Sequence, residues 1–143
     1  MYAVWMAAAT CSPSFRVNQI TGAIITAAIK VHSALGPGLL ESAYQACLAH
    51  ELRNCGLEVA AQVPLPVVYE GHKLEVGYRI DLVVESRVVV EVKSVEALHP
   101  IHEAQLLSYM RLSRIPVGLL INFNVLRLRN GIKRMVDGQD WQK

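Results

Sequence analysis

Two β-branched runs stand almost back to back in this chain, "RIDLVVE" at 79–85 and "RVVVEVKS" at 87–94. No other feature restricts the fold as much. Short valine-rich runs separated by a small polar stretch form a β-hairpin. The strand period of two places Glu91 and Lys93 on one face, roughly 7 Å apart, with Val88, Val90 and Val92 on the other. On the partner strand, Asp81 shares a face with Val83, opposite Ile80, Leu82 and Val84. The turn decides which faces meet. A three-residue loop, Glu85-Ser86-Arg87, pairs Val84 with Val88 and therefore Asp81 with Glu91. A two-residue loop would pair Asp81 with Val92 and send the carboxylates to opposite faces. Ser86-Arg87 lacks the Gly or Asn that two-residue turns demand, so the odd loop is expected.

Two carboxylates facing each other across a hairpin repel. A cation between them removes the conflict. Lys93 supplies part of that compensation and a divalent metal would supply more. Magnesium, which takes one or two carboxylates plus water and phosphate oxygens, suits such a pair. The bland alternative is a solvated sheet face carrying scattered charges.

Around the hairpin, apolar residues at 20, 24, 27, 28, 31 and 35 follow helical spacing, which predicts a helix over Asn18 to Leu35 with Asn18 as N-cap. "GPG" at 36–38 interrupts it. A second helix, "LLESAYQACLAHELRNC", ends at Gly56 as a C′ glycine. "LEVAAQVPLPVVY" reads as one strand or two short ones, and Pro64 and Pro66 assign it to a sheet edge. "EGHK" is a turn, "HPIHEAQLLSYMRLSR" is helical with Pro100 near its first turn, and "VGLLINF" is a buried strand. "LRLRNGIKRMV" contains Asn130-Gly131, a strong hairpin signal. The expected order is helix, helix, three strands, helix, then two or three strands.

With 143 residues, 52% of them apolar, the chain fits one α/β domain. We expect it over 17–137, with a loose N-terminal extension over 1–16 and a tail over 138–143. A net charge of +2 neither predicts nor excludes a nucleic-acid partner. Cys11, Cys47 and Cys55 have no metal-type spacing, and an odd count without a secretory signal points to reduced thiols and a cytoplasmic location. "MYAVWMAAATCSPSF" lacks the charged n-region of a signal peptide, and Thr10 stands where a lipoprotein site before Cys11 would have Gly or Ala. "ITGAIITAAIKVHSALG" is too short to span a bilayer and contains Lys30 and His32. No membrane partner is expected.

In the third helix, His102, Gln105 and Tyr109 fall on one narrow stripe. Taken singly, Tyr109 reads as a half-buried aromatic and Gln105 as an exposed amide. His99 and His102 have ligand-like spacing, but histidines at a helix start are commonly caps. In the second helix Gly38, Glu41 and Tyr44 share a face, and Glu41 in the first turn gains from the helix dipole whether or not it has another role. Arg111, Arg114, Arg127, Arg129, Lys133 and Arg134 could track a phosphate backbone, although charges alternating along an exposed hairpin are the commoner explanation.

The set has a resemblance. "GLLESAY" at 38–44, "GYRIDLVVE", "VVVEVKSVE", "HEAQLLSYMRL", "GLLINFN" and "GIKRMV" are similar, in order, to blocks of the small bacterial and archaeal GxxExxY family. The resemblance covers about residues 18–136. That family is grouped with the PD-(D/E)XK nuclease superfamily, and the resemblance implies a restriction-endonuclease-like mixed β-sheet flanked by helices. By motif, Asp81 resembles the superfamily's aspartate and Glu91-Val92-Lys93 its (D/E)XK element. Glu41 resembles the extra acid from an early helix, and Gln105 with Tyr109 resembles the Q-x-x-x-Y element of exonuclease-like members. Ile80 replaces the proline of the motif name.

The implied activity is metal-dependent hydrolysis of phosphodiesters in DNA or RNA. Asp81, Glu91 and Glu41 would be ligands to Mg²⁺ or Mn²⁺, with Lys93, Gln105 and Tyr109 as catalytic partners. A rival reading is a non-catalytic nuclease-like module that binds nucleic acid or a partner protein, motivated by the small size and slight charge. The very apolar first helix also leaves a homo-oligomer open.

Overall fold

The computed structural model describes residues 13–138; the readings of the N-terminal segment up to Ser12, Cys11 included, and of the tail from Gln139 lie outside the described residues. Helix α1 runs over Pro13–Leu35 and α2 over Glu41–Asn54. Five strands follow, β1 (Val59–Pro64), β2 (Val67–Tyr69), β3 (His72–Leu74), β4 (Arg79–Val84) and β5 (Val88–Lys93). Helix α3 (Pro100–Ser113) leads to β6 (Val117–Asn122), a 3₁₀ turn at Leu128–Gly131 and β7 (Ile132–Val136).

The main sheet has the order β1-β4-β5-β6-β7. Only β5 and β6 are parallel, joined by α3 as crossover, so the sheet is mixed as expected. Helices α1 and α2 cover one face against Leu82, Val84, Val88, Val90, Val92, Val117, Leu119 and Ile121. Helix α3 covers the other through Leu106, Tyr109 and Met110, which meet Val89 and Leu120. All six residues of β6 are buried, as its unbroken apolar run requires of a strand covered on both sides. A Cβ added to Gly118 of β6 would lie 2.6 Å from Met110 Sδ and 2.9 Å from Leu106 Cδ1, so α3 packs close against the sheet there.

Three expectations need correction. Asn18 is not an N-cap: it lies inside α1 (Pro13–Leu35), and its side chain accepts from Arg134 Nη2 (2.7 Å) instead. The stretch between α2 and α3 holds five strands rather than three, because β2 and β3 form a small separate hairpin. Asn130-Gly131 is not a tight hairpin turn between two strands. Residues 128–131 form a 3₁₀ turn, and Gly131 is required by crowding, since a Cβ there would fall 2.3 Å from the Asn122 carbonyl oxygen. β6 and β7 are nonetheless antiparallel neighbours. Among the described residues no helix is long and apolar enough to cross a membrane, and Cys47 and Cys55 are free thiols.

The β4–β5 turn is the odd one. Val84 pairs with Val88, Val83 with Val89 and Leu82 with Val90. Glu85 and Ser86 adopt positive φ (55° and 54°), which is unusual without Gly or Asn. Tertiary contacts hold Glu85 there: its N–H donates to the Glu58 carbonyl (2.8 Å), the Glu58 N–H donates back to Glu85 Oε2, and Arg16 lies 3.8 Å from Glu85 Oε1.

Candidate active site

The regular β4–β5 ladder stops at Leu82–Val90. One residue further, the carboxylates take over the backbone's hydrogen bonds. The Asp81 N–H donates to Glu91 Oε1 (3.1 Å), and the Val92 N–H donates to Asp81 Oδ2 (2.9 Å). On the other side of β4, Gln62 opposite Asp81 adopts φ 52° and drops out of the β1 ladder. The kink reverses the strand's facing. Ile80 packs in the α3-side core with Val83, while Leu82 and Val84 pack on the α1/α2 side. The simple alternation expected for Ile80, Leu82 and Val84 therefore fails at Asp81, because side-chain acceptors replace the carbonyls that a regular ladder would supply.

The expected pair is formed. Asp81 and Glu91 lie side by side, and Glu91 is only 3% exposed. Burial, followed by the neighbouring Asp81 charge, pushes the Glu91 carboxyl from 4.5 up to about 8. Burial also raises Asp81, against the Val92 amide and the Lys93 ammonium, which both favour its ionised form. At neutral pH the pair thus keeps a proton that ordinary carboxyls would have lost, as expected of a buried and a half-buried acid side by side and short of positive charge.

Lys93 continues along β5. Its Nζ donates to Gln105 Oε1 (3.0 Å), and Gln105 Nε2 donates to Tyr109 Oη (3.0 Å). The stripe on α3 therefore faces the strand. Gln105 is half-buried rather than exposed and Tyr109 is buried, its phenol pushed to higher pKa by burial.

Glu41 opens α2. It is exposed, and its Oε1 accepts the Ser94 N–H (3.3 Å) just beyond β5. Its charge reaches Asp81 and disfavours ionisation there, but among the described residues no three acidic, His or Cys side chains close around one point. Tyr44 fixes this helix start. Its hydroxyl donates to the Gly36 carbonyl (2.5 Å) and accepts the Leu39 N–H (3.1 Å), and its ring stacks on Phe123 at 4.5 Å. The Ser94 hydroxyl adds a bond to the Leu39 carbonyl (2.6 Å).

Four groups escaped the sequence reading. Ser94 is one. Gln45 Nε2 donates to the Asp81 carbonyl (3.4 Å), and Gln62 Nε2 donates to Gln45 Oε1 (2.9 Å) and Asp81 Oδ1 (3.5 Å). Asn122, 1% exposed, clamps the backbone after β5, accepting the Val95 N–H and donating to the Val95 carbonyl, both at 3.0 Å. A lone amide closing the apolar run of β6 was a legible signal, because a buried amide must find partners. His99 and His102 form a helix cap, with the His99 N–H donating to His102 Nδ1 (3.0 Å). Of the basic residues, Lys133 bonds Glu103 and Arg111 bonds Asp137.

The donor set suits a hard divalent cation. Asp81 and Glu91 offer only oxygen, each keeps one oxygen not bonded to backbone, and their mutual repulsion is relieved by a cation. A family model described as the PD-(D/E)XK nuclease superfamily matches residues 18–135. Searches of curated proteins and of solved structures return no match.

Proposed function

The chain belongs to the PD-(D/E)XK nuclease superfamily, and from that premise we propose that it is a nuclease that hydrolyses phosphodiester bonds of DNA or RNA with Mg²⁺ or Mn²⁺. The order of its motif blocks favours the GxxExxY group within the superfamily. The observation that carries the reading is the pair of half-buried Asp81 and buried Glu91, with Lys93 bonded to Gln105 beside it.

Asp81 and Glu91 would hold the cation, and Glu91 would give up the proton it keeps at neutral pH. Glu41, exposed at the start of α2, would reach the cation through water. When bound, the cation would polarise the phosphate and lower the pKa of a water near it. Lys93 brings a fixed ammonium. Because Gln105 takes one of its three N–H donors, the others can meet a phosphoryl oxygen and offset the charge that builds there as the bond breaks. Tyr109 orients Gln105 from behind and stays protonated, since burial raises its pKa.

The test is a cleavage assay over single- and double-stranded DNA and RNA with Mg²⁺ and Mn²⁺. Cleavage should vanish with EDTA and fall at least roughly 10²–10³-fold in Asp81→Asn and Lys93→Ala, with far-UV circular dichroism unchanged. Binding to nucleic acid that ignores both substitutions, without cleavage of any substrate, would select the non-catalytic module instead.

A further inference from the structure

Outside the catalytic row, Gln105 and Tyr109 also line a groove of about 530 Å³ whose other walls include Tyr78, Ile101, His102 and Leu112. The groove has a mixed character. Tyr78 is 50% exposed, with its ring tilted 6.0 Å from that of Tyr109, and Ile101 is 70% exposed. His102, Gln105 and Ser108 add polar groups to its lining, while among the described residues no Lys or Arg lines it. Its size lies in the range of small-molecule sites.

We propose that this groove receives an unpaired nucleobase next to the scissile phosphate, so that the substrate is a single strand or a frayed end rather than continuous duplex. This rests on the nuclease reading for its adjacent phosphate. Three observations support it. The groove and the row running from Lys93 share two side chains, which puts a base's reach between groove and catalytic pair. An open aromatic ring beside an aliphatic side chain stacks any base without regard to its identity. A duplex substrate, by contrast, is tracked through many phosphates, and among the described residues the groove offers no cation to do so. His102, Gln105 and Ser108 can hydrogen-bond the edge of a base once it has left its partner strand.

The test measures binding, in EDTA, of a labelled ten-nucleotide oligothymidine and an abasic strand with the same number of phosphates. Wild type should prefer the strand with bases by roughly tenfold. Tyr78→Ala and Ile101→Glu should remove the preference, and Tyr78→Phe should keep it. Ile101 is exposed, so its variant remains informative even if Tyr78→Ala fails to fold. Blunt duplex of equal length should bind more weakly than the single strand. Equal binding of the two strands overturns the proposal, as does a groove that closes by self-association, seen as a dimer in sedimentation that Ile101→Glu dissolves. Base-dependent binding without any cleavage would sink the nuclease reading and leave the groove assignment; cleavage without base preference would do the reverse.

Discussion

Replacing Glu91 with glutamine should stabilise the fold in metal-free buffer, by an amount that depends on pH. Burial and Asp81 raise the Glu91 carboxyl to about 8, against 4.5 for an ordinary glutamate. Between those values the folded protein holds a proton that the unfolded chain has released. The associated stability is complete below pH 4.5 and is lost as pH climbs through 8. At pH 7 the gap already crossed, at 1.36 kcal/mol per unit, amounts to about 3 kcal/mol. Glutamine keeps an oxygen to accept the Asp81 N–H and has no proton to lose. In EDTA its Tm should therefore exceed wild type by roughly 10 °C near pH 7–8 and match it near pH 4.5. Mg²⁺ should narrow the difference by raising wild type alone. Differential scanning calorimetry across pH 4.5–8.5 reads all of this. A flat wild-type profile, or a glutamine variant less stable than wild type at pH 8, would refute the buried-pair electrostatics.

Tyr44→Phe leaves the Gly36 carbonyl and the Leu39 N–H without the hydroxyl that joins them, and should cost about 1–2 kcal/mol in urea denaturation. Gly131→Ala forces a Cβ against the Asn122 carbonyl, a backbone atom that cannot step aside, and should destabilise by about 1–3 kcal/mol in the same assay. Gln105→Ala releases the Lys93 ammonium and should lower kcat by roughly 10–100-fold while Tm stays close to wild type.

The β4–β5 hairpin was legible because strand period and turn length together fix a register: once Glu85-Ser86-Arg87 is the loop, Asp81 must approach Glu91. What periodicity cannot express is the reversal at Asp81, where Ile80 and Leu82 end on opposite faces. That reversal comes from carboxylates capping backbone N–H groups, an event with no sequence period. That Gln105 and Tyr109 share a face of α3 was readable from helical spacing, and the bond between them follows from it. Gln45 and Gln62 were not readable, since glutamines near a strand edge and on a helix look like solvent-facing residues until tertiary packing brings them to Asp81. The Asn130-Gly131 misreading has a different origin: glycine was present for space, and local turn statistics credit it only with conformational freedom.

The close seating of α3 on Gly118 has a mechanical corollary. Leu106 and Met110, which rest over that glycine, are the immediate neighbours of Gln105 and Tyr109 on the same helix. Whatever thickens the sheet at position 118 would jack up the helix and lengthen the gap that the Gln105 amide spans to Lys93. A residue outside the candidate site thus sets the height of the platform that carries the Gln105 amide, and on the proposed nuclease reading a single bulky replacement there would weaken cleavage while leaving Asp81, Glu91 and Lys93 in place.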